Sequence, residues 1–299
     1  MHPTLESLLK SIPVVSDGGW GTEFQKLGLA PGECPDCWNL DHPDRVERVA
    51  RSYVEAGSRV VLTNTFGANR VVLDRQGLAE KLVEINRTGT ALSRKAAGDR
   101  AVVFASVGPT GKMISAGEIE EADLQKIFAE QMAALAAGGA QGFVIETFAE
   151  VAEARCALAA GKATGLPCVV SMVYDSGKGH DRTMMGTTPE QAAAELDEAG
   201  ADVIGANCGQ GIEGYIPICE RLRAATKRPI WIKANAGLPE MVEGKAVYRV
   251  APEEFAKHAL KVRAAGASFI GGCCGTSPAF IQALAAAIVP ASSNARPPS

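Results

Sequence analysis

Short apolar runs alternate with longer amphipathic stretches along the whole chain. Eight runs read as strands: "IPVVSD" (12–17), "SRVVLTN" (58–64), "AVVFASVG" (101–108), "GFVIET" (142–147), "CVVSMV" (168–173), "DVIGAN" (202–207), "PIWIKAN" (229–235) and "SFIGGC" (268–273). They are nearly uninterrupted rather than alternating, as strands covered on both faces require. Between them, stretches such as "HPDRVERVARSYVEAGS", "EADLQKIFAEQMAALAAGGA", "TPEQAAAELDEAGA" and "APEEFAKHALKVRAAGAS" carry apolar residues at helical spacing. Several open on Pro or an acidic residue and stop at Ala-Gly, the usual asymmetry of helix ends. Eight βα units in about 280 residues predict an α/β chain folded as a single (β/α)8 TIM barrel. An open doubly wound sheet is the competing arrangement, and the lack of G-x-G-x-x-G after the first strand counts against it. No Pro/Ser-rich linker interrupts the middle, so one domain is expected over 1–290. The tail "ASSNARPPS" (291–299) reads as disordered.

A barrel gathers its chemistry at the C-terminal ends of its strands. Polar and reactive residues stand there: Asp17-Gly18-Gly19 after the first strand, Thr63-Asn64-Thr65 after the second, and Glu146-Thr147 after the fourth. Asn207-Cys208-Gly209 follows the sixth, Asn235 the seventh, and Cys273-Cys274 the eighth. Residues more than 250 positions apart would share one rim.

Composition narrows the partners. The net charge of −4 comes with interspersed signs and no basic stripe, which speaks against nucleic acid and against an anionic membrane surface. No run approaches the roughly 18–20 apolar residues of a membrane span, and "MHPTLESLLKSIPVV" lacks the marks of a signal peptide. A cytoplasmic protein acting on a small molecule is expected, and the sequence leaves open whether it forms a homo-oligomer.

A reducing compartment shifts the reading of the eight cysteines from disulfides towards metal binding or catalysis. Cys156 and Cys219 lie in helical patterns and Cys168 opens a strand, so these three read as small buried hydrophobes. Cys208, Cys273 and Cys274 stand at the rim. Three thiolates suit Zn²⁺, and a three-ligand set leaves a position for substrate, as in catalytic sites. The glycines of "FIGGCCGTSP" would let the backbone turn sharply enough for two consecutive thiols to reach one ion. Simple burial of the three thiols, or a strained redox pair at Cys273-Cys274, remain alternatives. The C-x-x-C of "ECPDCW" (Cys34, Cys37) has no second pair to complete a zinc ribbon; it reads as a loop feature, with metal binding or oxidation as the alternative, and Trp38 beside it is a candidate lining of the pocket mouth. The four histidines read as structural or solvated: His2 at the terminus, His42 at a helix start, His180 in a loop, His258 on a helix.

Taken in order, "DGGWGTEFQ" (17–25), "LTNTFGANR" (62–70), "SVGPTG" (106–111), "IETF" (145–148), "GANCG" (205–209), "NAGLP" (235–239) and "GGCCGTSP" (271–278) resemble the motifs of the homocysteine S-methyltransferase family. The resemblance covers roughly residues 10–290. It implies a (β/α)8 barrel with a three-cysteine zinc site, with Cys208, Cys273 and Cys274 as ligands. Asp17, Gly18 and Glu146 would hold the amino-acid end of homocysteine, with Asp17 and Glu146 as the candidate catalytic residues; Thr63, Asn64 and Asn235 would be further substrate contacts, Asn235 matching a residue that approaches zinc in the methionine synthase branch when substrate is absent. A homocysteine ammonium suits carboxylate acceptors, because charge-assisted hydrogen bonds are short and selective. A helix cap or a structural ion pair is the bland role for the same acids. Coordination to Zn²⁺ would deprotonate the substrate thiol, whose ordinary pKa near 8.5 leaves it mostly neutral. Attack of the thiolate on an activated methyl group would then give methionine.

The donor is less legible. A chain of this length without a following folate or corrinoid domain points to betaine or S-methylmethionine. "DRTMMGTTPEQ" and "CWNLDHPD" resemble bacterial betaine-using members, while Thr147 stands where vertebrate betaine enzymes carry Tyr and "NAGLP" is closer to the methionine synthase branch. A separate methyl-corrinoid protein or methylcobalamin as donor, and a non-catalytic zinc- or thiol-binding barrel, are the competing expectations.

Overall fold

The computed structural model describes residues 1–242 and 245–288. The expected disordered tail at 291–299 lies outside the described residues. In chain order the strands are β1 (Val14–Val15), β2 (Val60–Val61), β3 (Val102–Val103), β4 (Ala105–Val107), β5 (Phe143–Phe148), β6 (Cys168–Met172), β7 (Val203–Gly211), β8 (Ile230–Asn235), β9 (Glu240–Val242), β10 (Lys245–Val247) and β11 (Ala267–Gly272). Seven form one curled parallel sheet in the order β1-β11-β8-β7-β6-β5-β4. A parallel β2–β3 pair adjoins it: Ser16 bridges to Val60, Arg59 N donates to Val15 O at 2.8 Å, and one residue separates β3 from β4. All eight runs expected from the sequence contain a strand. The antiparallel β9–β10 hairpin was not anticipated.

The expected helices form at Pro43–Glu55, Glu121–Ala137, Pro189–Glu198 and Pro252–Ala264. Three of the four carry Pro in the first turn, and Thr188 with Gln191 completes a capping box on one. Among the described residues no helix is long and apolar enough to cross a membrane.

Side chains alternate across the sheet, and the two faces have separate cores. On the convex side, Ile145, Val170, Ile204, Ile232 and Ile270 pack against the helices. On the concave side Val14, Val60, Phe104, Val144, Val169, Val203, Trp231 and Phe269 converge, and Leu5 and Leu8 of helix Pro3–Leu9 join that cluster. One pleat further along five of these runs the concave face changes character. Val14 gives way to Ser16, Phe104 to Ser106, Val144 to Glu146, Val169 to Ser171, and Trp231 to Lys233; each of these second residues is buried. An apolar floor therefore supports a polar layer, which faces the strand ends where the rim residues stand.

Candidate active site

The sulfurs of Cys208, Cys273 and Cys274 lie within 4.8 Å of one another, and Cys208 Sγ and Cys274 Sγ are 4.0 Å apart. Two sulfurs each at about 2.3 Å from a tetrahedral ion stand about 3.8 Å apart, so the three thiols fit zinc as they are placed. All three are half-buried and reachable. The neighbouring thiols of Cys273 and Cys274 favour the Cys208 thiolate and hold its pKa well down, while their own are pushed up in return. Asn235 on β8 lies beside Cys208, also favours its thiolate, and keeps a buried Oδ1 without a partner among the described residues.

The backbone is specialised at this point. Cys208 takes φ +60, uncommon for a residue with a Cβ, at an irregularity where β7 slips register against β8. Its carbonyl accepts from Tyr215 Oη at 2.7 Å. The Cys273-Cys274 turn is fixed by Cys273 N donating to Ala234 O at 2.7 Å, Ala236 N to Cys274 O at 2.9 Å, and Thr276 Oγ1 to Cys273 O at 2.7 Å. The neighbouring glycines are there mainly for another reason than the expected sharp turn. A Cβ on Gly271 would sit 2.0 Å from Ser16 Oγ, and one on Gly272 2.3 Å from Thr276 Oγ1; only Gly275 takes a positive φ, with the Tyr248 ring packed against it.

Glu146 projects from β5 into the polar layer. Its Oε1 accepts from Ser106 Oγ at 2.5 Å, and no donor among the described residues engages Oε2. Burial pushes its carboxyl up to about 7, against the opposing pull of Lys233. Thr147, next in sequence, holds φ +66, an outlying conformation for a β-branched residue, where β5 slips against β6. Asn207 pins it: Thr147 N donates to Asn207 Oδ1 at 2.9 Å and Asn207 Nδ2 donates to Thr147 Oγ1 at 2.7 Å, while Ser171 Oγ donates to the same Oδ1. Strain held this firmly beside reactive groups is characteristic of functional sites.

Asp17 is fully buried. Its Oδ2 accepts from Trp20 Nε1 at 2.7 Å and Leu62 N at 2.8 Å, and its Oδ1 accepts from Lys233 Nζ at 2.5 Å. Lys233, 2% exposed, was not singled out from the sequence, although a cation at a concave position of the otherwise apolar "PIWIKAN" is the signal that marks it. Gly18 packs against Tyr53 and Thr276, where a Cβ would come within 2.7–2.9 Å of their side chains. Thr63 pairs with Thr65 and accepts from Ser106 N; Asn64 donates to Pro35 O and Asn39 Oδ1. These two hold the rim loops together.

The C-x-x-C lies in a 3-10 turn, Pro35–Cys37, with both thiols half-buried and pushed upward in pKa chiefly by burial. Trp38 does not line the pocket mouth: it is 1% exposed, donates to Glu33 Oε1 and packs on Phe24 and His42. Cys156, Cys168 and Cys219 are buried as expected. A surface cavity of about 190 Å³ lies among Glu121, Arg155 and Cys156 on the helical layer, none of them a rim residue.

The homocysteine S-methyltransferase family model matches residues 14–288, a span that holds every candidate residue. The chain belongs to the homocysteine S-methyltransferase family. It is 28% identical to methionine synthase of Mycobacterium tuberculosis over 95% of its own length, spanning about a quarter (25%) of that protein. It is 29% identical to betaine–homocysteine S-methyltransferase 1 of Danio rerio, over 94% of this chain and 74% of the relative. The metallated form of the homocysteine methyltransferase MmuM from Escherichia coli superposes with a TM-score of 0.80 over 94% of this chain and 99% of that one, at 23% identity, a likeness of fold.

Proposed function

We propose that this family member is a zinc-dependent homocysteine S-methyltransferase that forms methionine with betaine or S-methylmethionine as methyl donor. In this reading residues 1–290 form one closed (β/α)8 barrel, which the hydrogen bonds running from β1 through β2 and β3 to the seven-stranded sheet support. The observation that carries the function is the position of three sulfurs within 4.8 Å of one another at the strand ends bordering a buried polar layer. Cys208, Cys273 and Cys274 would hold Zn²⁺, which when bound supplies Lewis acidity that keeps a thiol ionised near neutral pH.

The chain's own residues do the rest. Glu146, with Oε2 unengaged, accepts the substrate ammonium, and Asp17 adds negative charge behind it. The Asn207–Thr147–Ser171 network keeps Glu146 aimed. Gly18, Thr63 and Asn64 shape the rim beside the substrate, and Asn235 borders the sulfur. The homocysteine sulfur pair forms the new S–CH₃ bond as the donor's N–CH₃ or S–CH₃ bond breaks and the leaving group keeps that bonding pair; the thiol proton passes to solvent. Free thiols and the absence of a basic stripe support a cytoplasmic setting.

The relation to the Danio rerio betaine enzyme supports the small donor. A second reading, a separate methyl-corrinoid protein as donor, is favoured by one feature: Phe66, Met184, Met185, Leu238 and Met241 stand exposed on segments that follow β2, β6 and β8, at the same end as the thiols. The deciding experiment incubates zinc-loaded protein with homocysteine and, separately, betaine, S-methylmethionine or methylcobalamin, and scores methionine. Turnover with a small donor is expected. Stoichiometric zinc binding without turnover of any donor overturns the assignment.

A further inference from the structure

Lys233 is the buried charge that the proposed function leaves unused. Its ammonium has three donors, and one goes to Asp17 Oδ1. No acceptor among the described residues takes the other two, although the group is 2% exposed. Buried donors without acceptors are costly, so a partner is expected to arrive with the substrate. The lysine belongs to the concave face of β8: Trp231 below it lies in the inner cluster, and Asn235 above it borders Cys208. Burial alone would lower its pKa, but Asp17, Glu146 and Cys273 act on it together and hold it above the ordinary lysine value. Lys233, Glu146 and the Cys273 sulfur are thus electrostatic neighbours in one polar layer. Asp17 is already saturated on Oδ2 and shared on Oδ1, which leaves one free carboxylate oxygen, on Glu146, and one ammonium with open donors, on Lys233.

Resting on the homocysteine reading of this site, we propose that Lys233 binds the α-carboxylate of the substrate while Glu146 binds its ammonium, so that the layer beside the thiols selects a zwitterionic amino-acid thiol. Asp17 is then a positioning residue, turning the lysine towards the ligand. Two opposite buried charges in one polar layer recognise both ends of one α-carbon, which neither a simple thiol nor a simple amine supplies.

The test is a cycle between residue and ligand group, read as dissociation constants by calorimetry on zinc-loaded protein. The probes are homocysteine, aminopropanethiol (homocysteine without its carboxylate) and mercaptobutyrate (homocysteine without its amine). Wild type should bind aminopropanethiol about 30-fold more weakly than homocysteine, the size of a charge-assisted pair. In Lys233→Met that difference should shrink below about threefold, the residue no longer discriminating. Loss of the amine should weaken both proteins alike. A lysine that only supports the fold would weaken all three ligands equally, and that result overturns the proposal. Lys233→Met leaves Asp17 without its cation, so Asp17→Asn/Lys233→Met is measured beside it; should neither variant fold, equal wild-type affinity for homocysteine and aminopropanethiol overturns the proposal unaided. If wild type binds zinc but not homocysteine, the homocysteine assignment itself falls; if it binds homocysteine without regard to the carboxylate, only the role of Lys233 falls.

Discussion

Glu146→Gln should exchange activity for stability. In the fold the carboxyl titrates at about 7 instead of 4.5, because burial disfavours its charge. A shift of that size corresponds to about 3 kcal/mol. The folded protein holds this proton more tightly than the unfolded chain does, so unfolding free energy falls as pH rises from about 4.5 to about 7 and stays low above. Gln keeps an oxygen to accept from Ser106 Oγ and carries no charge to bury. At pH 8 the variant should therefore melt several degrees higher, roughly 2–4 °C for each kcal/mol recovered. On the proposed role of Glu146 the substrate ammonium, in contrast, loses its charged acceptor. Removing one member of a buried charge pair costs about 2–5 kcal/mol, so KM for homocysteine should rise about 30-fold or more at saturating donor. The assay pairs thermal melts at pH 6 and pH 8 with methionine formation across a homocysteine series, with zinc content confirmed equal. A variant no more stable than wild type at pH 8, or a KM within threefold, refutes the reasoning.

Three further outcomes follow from the packing. Asp36 is buried, accepts from Gly67 N and is pushed up to about 7, so Asp36→Asn should flatten part of the fall in stability between about pH 4 and pH 7, as pH-resolved denaturant titrations would show. Gly205→Ala puts a Cβ 2.1 Å from Trp231 O, backbone that cannot step aside; chemical denaturation should show a loss above about 2 kcal/mol. Thr147→Gly relieves a positive φ worth about 1–2 kcal/mol while losing the bond from Asn207 Nδ2 worth about 1 kcal/mol, and should stay near wild type. Thr147→Ala loses the same bond without relief, and should be the less stable of the two by about 1–2 kcal/mol in the same measurement, the strain that Gly removes.

Much of this architecture is legible in the chain because buried parallel strands need continuous apolar runs and their helices need Pro or acidic starts. The rim thiols are legible for a similar reason: strand ends are where a barrel exposes chemistry, and Cys208, Cys273 and Cys274 do converge. Pairings across the sheet are not legible. Nothing in "PIWIKAN" says that Lys233 meets Asp17, 216 positions away, or that Trp20 and Leu62 N share the same carboxylate. Residue type misleads where tertiary contacts decide. Trp38 beside a C-x-x-C looks like a pocket residue and is core, and the β-branched Thr147 occupies a conformation that propensity assigns to glycine. The β9–β10 pair is not legible because charged residues interrupt "EMVEGKAV", which leaves no apolar run there.

Zinc K-edge X-ray absorption on the loaded protein, with and without homocysteine, asks whether three thiolates form a zinc seat open to the substrate's own sulfur. Sulfur scattering at about 2.3 Å should correspond to three ligands alone and four with homocysteine, and Cys273→Ala should lose stoichiometric zinc. A sulfur count unchanged by homocysteine, or full zinc retention in Cys273→Ala, would contradict such a seat.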